Sequence, residues 1–217
     1  MSYPSHVTIT IPPGATVLFI GDSITDAGRD RANPHDLGHG YALIAAARFS
    51  ARHPRLGVRF VNRGIGGDRV RDLRERWTED CLDVNPAVVS VMIGINDTWR
   101  RFDSGEVTSI EDYERDYRAV LTAAREVRTA SFVLIEPFLL PVTDAQHAWR
   151  ADLDPRIAVT RRLAADFGAA LVPADGLFAR AAADVGPYPW TTDGVHLTPA
   201  GDALLAEEWL HAISPPA

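Results

Sequence analysis

Val17-Leu18-Phe19-Ile20-Gly21-Asp22-Ser23-Ile24-Thr25-Asp26 is a short apolar run that ends in a polar turn led by a glycine. Four consecutive apolar residues bounded by turn residues read as a strand buried on both faces. The turn then places Ser23 just past the end of that strand, where the chain opens toward a helix. The same apolar signature recurs at Val58–Val61, Val88–Ile93, Phe132–Glu136 and Ala170–Val172. Helical patterns fill the intervals. Tyr41–Ser50 is alanine-rich, and Val70, Leu73, Trp77 and Cys81 fall on one helical face. Ser109 reads as an N-cap, followed by acids in the first turn of a helix carrying Ile110, Tyr113, Tyr117, Val120, Leu121 and Ala124. Asp154-Pro155 and Thr198-Pro199 each set a capping side chain before a proline at the first helical position.

Five strands alternating with helices predict an α/β fold, a three-layer α/β/α sandwich around a five-stranded parallel sheet, in one domain over residues 1–217. Sites in such sheets lie beyond the carboxyl ends of the strands. Ser23 follows the first strand, Gly66 and Gly67 the second, and Asn96 the third, so three pieces of the chain converge on one edge. The connections Thr98–Thr108 and Phe138–Asp152 read as long loops overhanging that edge.

Composition narrows the chemistry. Hydrophobic residues make up 46% of the 217, enough for a sizeable core. The formal net charge is −7, which gives no electrostatic footprint for nucleic acid. All 22 basic residues are arginine, so mechanisms that need a lysine are excluded. Cys81 is the only cysteine, which rules out an intrachain disulfide and reads as a small buried hydrophobe. The N-terminus lacks a positive segment followed by an apolar one, and no run approaches a membrane span, so a cytoplasmic location is expected.

Near the other end of the sequence, Asp193-Gly194-Val195-His196 places a carboxylate and an imidazole three residues apart, in a turn before a helix. With Ser23, these supply a nucleophile, a base and an acid to orient the base, the set that serine-based acyl transfer needs. A serine hydroxyl is a poor nucleophile near neutral pH, and imidazole is the side chain suited to take its proton as the bond forms. Other motifs fail. Gly64-Ile65-Gly66-Gly67 starts like a dinucleotide fingerprint, but its sixth position is Arg69. Ser23 is not in a Gly-x-Ser-x-Gly elbow, and no His-Glu-x-x-His or cysteine-pair metal signature occurs.

Gly21-Asp22-Ser23-Ile24, Ile65-Gly66-Gly67-Asp68, Gly94-Ile95-Asn96-Asp97 and Asp193-Gly194-Val195-His196 resemble, in order and in strand context, the four blocks of the SGNH (GDSL-type) hydrolases. That resemblance implies a flavodoxin-like fold and hydrolysis of esters or thioesters without metal or cofactor. It assigns Ser23, Asp193 and His196 as the catalytic triad. The oxyanion hole then consists of the Ser23 and Gly67 backbone N–H groups and the Asn96 amide. Family members often carry serine where Gly66 stands; alignment of the motif favours Gly67 as the donor, with Gly66 the alternative. Asp22 is expected to bond nearby turn amides, with substrate contact the competing role, and Asp97 to brace its loop. Asp26 and Arg29 are read as substrate contacts or as solvated residues at a helix entry.

Gly94–Asp103, with Val70-Arg71-Asp72-Leu73 and Ile135-Glu136-Pro137-Phe138, is similar to the acetylxylan-esterase-like branch of the family. The resemblance implies removal of acetyl or other small acyl groups from carbohydrates. Trp99 and Trp190 are then candidate platforms for a sugar ring and Arg100 or Arg101 candidate partners for its hydroxyls, against a competing reading of both tryptophans as packing under the loops. Members of that branch can form homo-oligomers, and the expectation extends here. Two alternatives stay open. One is a lysophospholipase or thioesterase with an apolar channel lined by Phe138, Leu139, Leu140 and Val142; the other is a non-catalytic carbohydrate-binding protein on the same fold.

Overall fold

The structure is a computed structural model that describes residues 7–216. Its strands are β1 (Ile9–Thr10), β2 (Thr16–Gly21), β3 (Arg59–Asn62), β4 (Val88–Met92), β5 (Ser131–Ile135), β6 (Ala170–Val172) and β7 (Ile213–Ser214). The helices are α1 (Ser23–Asp26), α2 (Tyr41–Arg52), α3 (Val70–Glu75), α4 (Ile95–Asp103), α5 (Ile110–Arg128), α6 (Asp144–His147), α7 (Arg150–Asp166), α8 (Ala174–Ala182) and α9 (Pro199–His211). Five strands form one parallel sheet, as the sequence predicts, and their order is β3-β2-β4-β5-β6. The additional pair β1-β7, also parallel, is only two residues long in each strand, too short to give a periodic signal.

Alternation along β2 divides the core in two. Val17 and Phe19 face α2 and α9, where Phe19 meets Tyr41 edge-on and Trp209 at a tilt. Leu18 and Ile20 face the opposite layer, built from Val70, Leu73, Trp77 and Cys81 together with Tyr113, Tyr117, Val120 and Leu121. These are the apolar stripes read from the sequence, and Cys81 is a free, buried thiol within one of them. The helix after β2 covers one face and the helix after β3 the other. The chain therefore switches sides between β2 and β4, and their carboxyl ends flank the crevice where open α/β sheets place their sites.

Caps decide several helix starts. The Ser109 hydroxyl accepts the Asp112 N–H at 3.0 Å, and Thr198 accepts the Gly201 N–H at 3.2 Å ahead of Pro199. Two expectations are corrected. Pro155 does not open a helix: α7 begins at Arg150, because Asp144–His147 and the turn at Trp149 have already aligned the chain, and the proline is taken up within the second turn. Nor are Thr98–Thr108 and Phe138–Asp152 loops throughout: α6 and the start of α7 lie within the second, and α4 runs into the first. Residues 95–103 form α4, held by Trp99 and Phe102 against Trp149, with ring centroids 5.4 and 5.5 Å apart. Its mostly polar sequence hides that helix from a reading based on apolar periodicity. Among the described residues, no helix is long and apolar enough to cross a membrane.

Candidate active site

Ser23 is the first residue of α1, in the turn that follows β2. Asp22 caps this short helix, its Oδ1 accepting the Ile24 N–H at 3.0 Å. The Ser23 N–H has no acceptor within the helix, as for any first-turn amide, and so is free to serve a ligand. Gly21 is obligatory. A Cβ there would stand 2.1 Å from the Met92 carbonyl oxygen of the neighbouring strand, so the nucleophile turn is drawn tightly onto β4.

The turn before α9 meets Ser23 from across the crevice. The His196 Nε2 lies 2.9 Å from the Ser23 Oγ, and its Nδ1 lies 2.6 Å from the Asp193 Oδ2. An ionised carboxylate only accepts, so Nδ1 carries the proton and Nε2 accepts from the serine hydroxyl. Burial alone would raise the Asp193 carboxyl. The His196 ring and the His196 and Val195 amides outweigh it and hold the group below its ordinary value, hence ionised near neutral pH. The side chains of Asp193 and His196 are 41% and 42% exposed, so the pair opens to solvent on one side.

A clamp that sequence reasoning missed holds this turn. Gln146 donates to the Asp193 carbonyl at 2.7 Å and accepts the Val142 N–H at 2.8 Å. Gly194, at φ +96°, lies where a Cβ would meet the Gln146 amide and the Leu140 carbonyl, each 2.9 Å away. Nothing local marks Gln146 as a partner of a residue 47 positions on; only the glycine hints at a close approach.

The remaining predicted residues converge on the same crevice. Asn96, in the first turn of α4, is 5% exposed and donates one amide hydrogen to the Asp68 carbonyl at 3.0 Å. Its second amide hydrogen is unassigned. The two glycines differ: the Gly66 N–H donates to Asp26 Oδ2 at 3.1 Å, while the Gly67 N–H has no hydrogen-bond acceptor and its φ is +89°. Asp97 is fully buried and its Oδ2 accepts the Val70 N–H at 3.2 Å, which is the bracing expected of it.

Other readings change. Asp22 is 1% exposed, with one oxygen on Ile24 and the other buried, so its side chain is not available to a substrate. Burial pushes its carboxyl up to about 7. Asp26 is 7% exposed and Arg29 9%; neither is a solvated helix-entry residue. They brace the loop from β3, through Gly66 and through the Gly64 carbonyl, which accepts from Arg29 Nε at 3.0 Å. Trp99 lies 6.0 Å from the His196 ring, between it and Trp149, partly exposed at the crevice. Arg100 stands beside Gly67 and is paired with Asp103, whereas Arg101 points to Asp152. Trp190 donates its indole N–H to the Ala181 carbonyl at 3.1 Å and is half-buried against the core, the packing role.

Phe138, Leu139 and Leu140 are at most 6% exposed, with Phe138 against Phe178, so these three belong to the core and do not line an open channel. A cavity of about 550 Å³ lies apart from the site, bounded by Val7, α7, β6 and the end of α9. Among the described residues no group of histidine, cysteine and acidic side chains is placed to hold a metal ion.

The sequence and the fold are similar to those of known proteins. Residues 19–204 match the GDSL-like lipase/acylhydrolase family. The acetylxylan esterase of Geobacillus stearothermophilus is 34% identical over 211 residues, covering 94% of this chain and 95% of that protein. Its crystal structure superposes with a TM-score of 0.87 at 33% identity, over 94% of this chain and 96% of that one. A GDSL-like lipase from Parabacteroides merdae gives a TM-score of 0.90 at 36% identity, over 94% and 98%. LAE5, an alpha/beta hydrolase enzyme from the metagenome of Lake Arreo, gives 0.85 at 34%, over 93% and 96%. The chain belongs to the GDSL-like lipase/acylhydrolase family, most like its acetylxylan-esterase branch, and is a carboxylic ester hydrolase. The non-catalytic alternative is thereby set aside.

Proposed function

We propose that the protein is a serine esterase that removes small acyl groups, chiefly acetyl, from carbohydrate hydroxyls through a Ser23-His196-Asp193 triad and an acyl-enzyme. The observation that carries this is the continuous hydrogen-bonded line from Ser23 Oγ through the imidazole to Asp193, at 2.9 and 2.6 Å. In the first half-reaction Ser23 Oγ bonds to the acyl carbon and its proton passes to His196 Nε2. The negative charge that develops on the former carbonyl oxygen is met by the Ser23 N–H, the Gly67 N–H and the Asn96 amide. Collapse breaks the bond to the alcohol oxygen, which leaves with the proton from His196. Water then repeats the sequence on the acyl-serine, with His196 again the base.

Two facts support the Gly67 assignment over Gly66: only Gly67 has an uncommitted amide, and only it has the positive φ. In the Geobacillus esterase, three variants described as catalytic mutants replace a serine, an aspartate and a histidine by alanine. That aspartate and histidine are three positions apart, the separation of Asp193 and His196. The likeness to an acetylxylan esterase supports an acetylated carbohydrate as substrate, and the burial of Phe138–Leu140 supports a short acyl chain. Turnover of p-nitrophenyl acetate, butyrate and octanoate tests chain length: rates should fall steeply after acetate, and a rise toward octanoate would refute the small-acyl reading. Release of acetate from acetylated xylo-oligosaccharides, absent in Ser23→Ala, tests the sugar and the nucleophile together.

A further inference from the structure

Gln146, in the short helix α6, is 8% exposed and belongs to none of the four motif blocks. Both ends of its amide are paired. Its Oε1 accepts the Val142 N–H at 2.8 Å and the Thr143 N–H at 3.3 Å, and its Nε2 donates to the Asp193 carbonyl at 2.7 Å. A backbone N–H only donates and a backbone carbonyl only accepts, so these partners decide which end of the amide is which. The oxygen holds the side chain to its own segment. The nitrogen reaches across to the turn that carries the acid of the proposed triad.

Within that turn Asp193 Oδ1 accepts the Val195 and His196 N–H groups at 2.9 and 2.7 Å, which leaves Oδ2 to face His196 Nδ1 at 2.6 Å. The aim of the carboxylate therefore depends on the peptide that joins Asp193 to Gly194. Rotation of that peptide moves the carboxyl group relative to both amides and to the ring. Gly194, at φ +96°, offers little resistance to such a rotation. The N–H of the peptide is held from inside the turn, by Thr191 Oγ1 at 3.0 Å, and its carbonyl is held from outside, by Gln146. Packing supports the same contact: a Cβ on Gly194 would stand 2.9 Å from the Gln146 amide nitrogen and oxygen. On their other side Asp193 and His196 open to solvent, which supplies no fixed hold.

We propose that Gln146 is a positioning residue for the acid of the triad: its Nε2 locks the Asp193–Gly194 peptide, which keeps the Asp193 carboxylate on His196 Nδ1 and the imidazole in the tautomer whose Nε2 accepts the Ser23 proton. The proposal rests on the triad assignment made above. A neutral imidazole carries one N–H, and a ring protonated at Nε2 cannot accept from Ser23 Oγ. The carboxylate selects the productive form only while it faces Nδ1. Without the Gln146 donor the peptide turns, the carboxylate leaves Nδ1 for part of the time, and the unproductive tautomer gains population. Substrate binding is untouched by this, because Gln146 is buried behind the turn and meets the backbone of Asp193, not the crevice side of His196.

The test joins kcat and KM for p-nitrophenyl acetate at about pH 8 to the nitrogen NMR shifts of the His196 ring, which tell the two tautomers apart, for the full chain and its variants. The wild type should hold the Nδ1–H form. Gln146→Met removes both ends of the amide; it should lower kcat by about tenfold to a hundredfold with KM changed less than about threefold, and its His196 should show a larger share of the Nε2–H form. Gln146→Glu keeps the acceptor for Val142 but sets a carboxylate oxygen against the Asp193 carbonyl. It should be at least as slow as Gln146→Met, because the donor carries the effect. A kcat within about threefold of wild type in either variant, or a fall in kcat with the Nδ1–H form intact, would overturn the proposal and leave Gln146 a brace of its own segment. Should Gln146→Met not fold, Gln146→Glu decides by the same two readings. A wild type without Ser23-dependent turnover would instead remove the triad assignment itself.

Discussion

Replacing Asn96 by alanine separates transition-state binding from substrate binding. One Asn96 amide hydrogen is held by the Asp68 carbonyl at 3.0 Å, and the other is the donor proposed for the oxyanion. A donor aimed at charge that exists only in the transition state contributes to kcat and little to KM, and losing one costs about 2.7–4 kcal/mol, a hundredfold to a thousandfold. The stability loss is smaller. A single hydrogen bond of this kind is worth about 0.5–1.5 kcal/mol, and 1 kcal/mol moves the melting temperature by about 2–4 °C in a chain of this size. Asn96→Ala should therefore melt only a few degrees lower, within the range those figures give, while turnover of p-nitrophenyl acetate collapses at nearly constant KM. Asn96→Asp sharpens the case, because a carboxylate there repels both the Asp68 carbonyl and the developing oxyanion; it should be slower than the alanine variant. A tenfold rise in KM with kcat intact, or an Asp variant as fast as wild type, would refute the reasoning.

Gly66→Ser should keep kcat within about threefold, because a Cβ there meets nothing closer than 3.7 Å, whereas Gly67→Ala is strained at φ +89° and should lose at least about tenfold; equal losses in the two would redirect the oxyanion assignment to Gly66. Asp193→Ala should retain roughly tenfold or more turnover above Ser23→Ala, since an orienter contributes less than the nucleophile, and steady-state kcat for p-nitrophenyl acetate measures the difference. Asp22 titrates near 7 when folded against an ordinary 3.8, so the native state holds a proton that the unfolded chain releases, and stability from this group is lost as pH rises from about 4 to about 7. Asp22→Asn removes that loss, so its stability relative to wild type should climb between pH 5 and pH 8, by at most about 4 kcal/mol, read as a widening difference in melting temperature; a pH-independent difference would show that Asp22 is already ionised in the native protein.

The parts legible in the sequence are those whose causes are local. The five sheet strands announce themselves through short apolar runs, fullest in β2, although Ser90 interrupts β4 and β3 opens on the exposed Arg59. Ser109 and Thr198 announce their helices because a cap bonds within three residues. Ser23, Asp193 and His196 are legible because a turn at a strand end needs few other residues to define it. What escaped was set by contacts between distant segments. α4 is a helix whose sequence is mostly polar, kept in place by aromatic stacking on Trp149, and α7 starts before its proline because the preceding turns had already set its axis. Gln146 shows only its local capping box with Thr143 and Arg156 only its spacing of four from Asp152; neither pattern reveals the distant partners.

That division has a consequence for the chemistry. In the proposed triad the Ser23 turn is capped locally by Asp22, and the Asp193–His196 turn has its own local bonds and the clamp from Gln146. The proposed oxyanion donors depend on three long-range ties, from Asp26 to Gly66, Asn96 to Asp68 and Asp97 to Val70. Two of these ties use carboxylates buried beside the site. Small displacements of such donors weaken electrostatic stabilisation steeply. Changes outside the four motif blocks that loosen these ties, at a position such as Arg29, which braces the Gly64 carbonyl, should therefore act on turnover through the donors rather than through the nucleophile. Acylation would slow in these variants, but alkylation of the His196 imidazole by a small haloacetamide, in which no oxyanion develops, would not. Equal loss of both reactions would place the fragility in the triad and reverse this ordering.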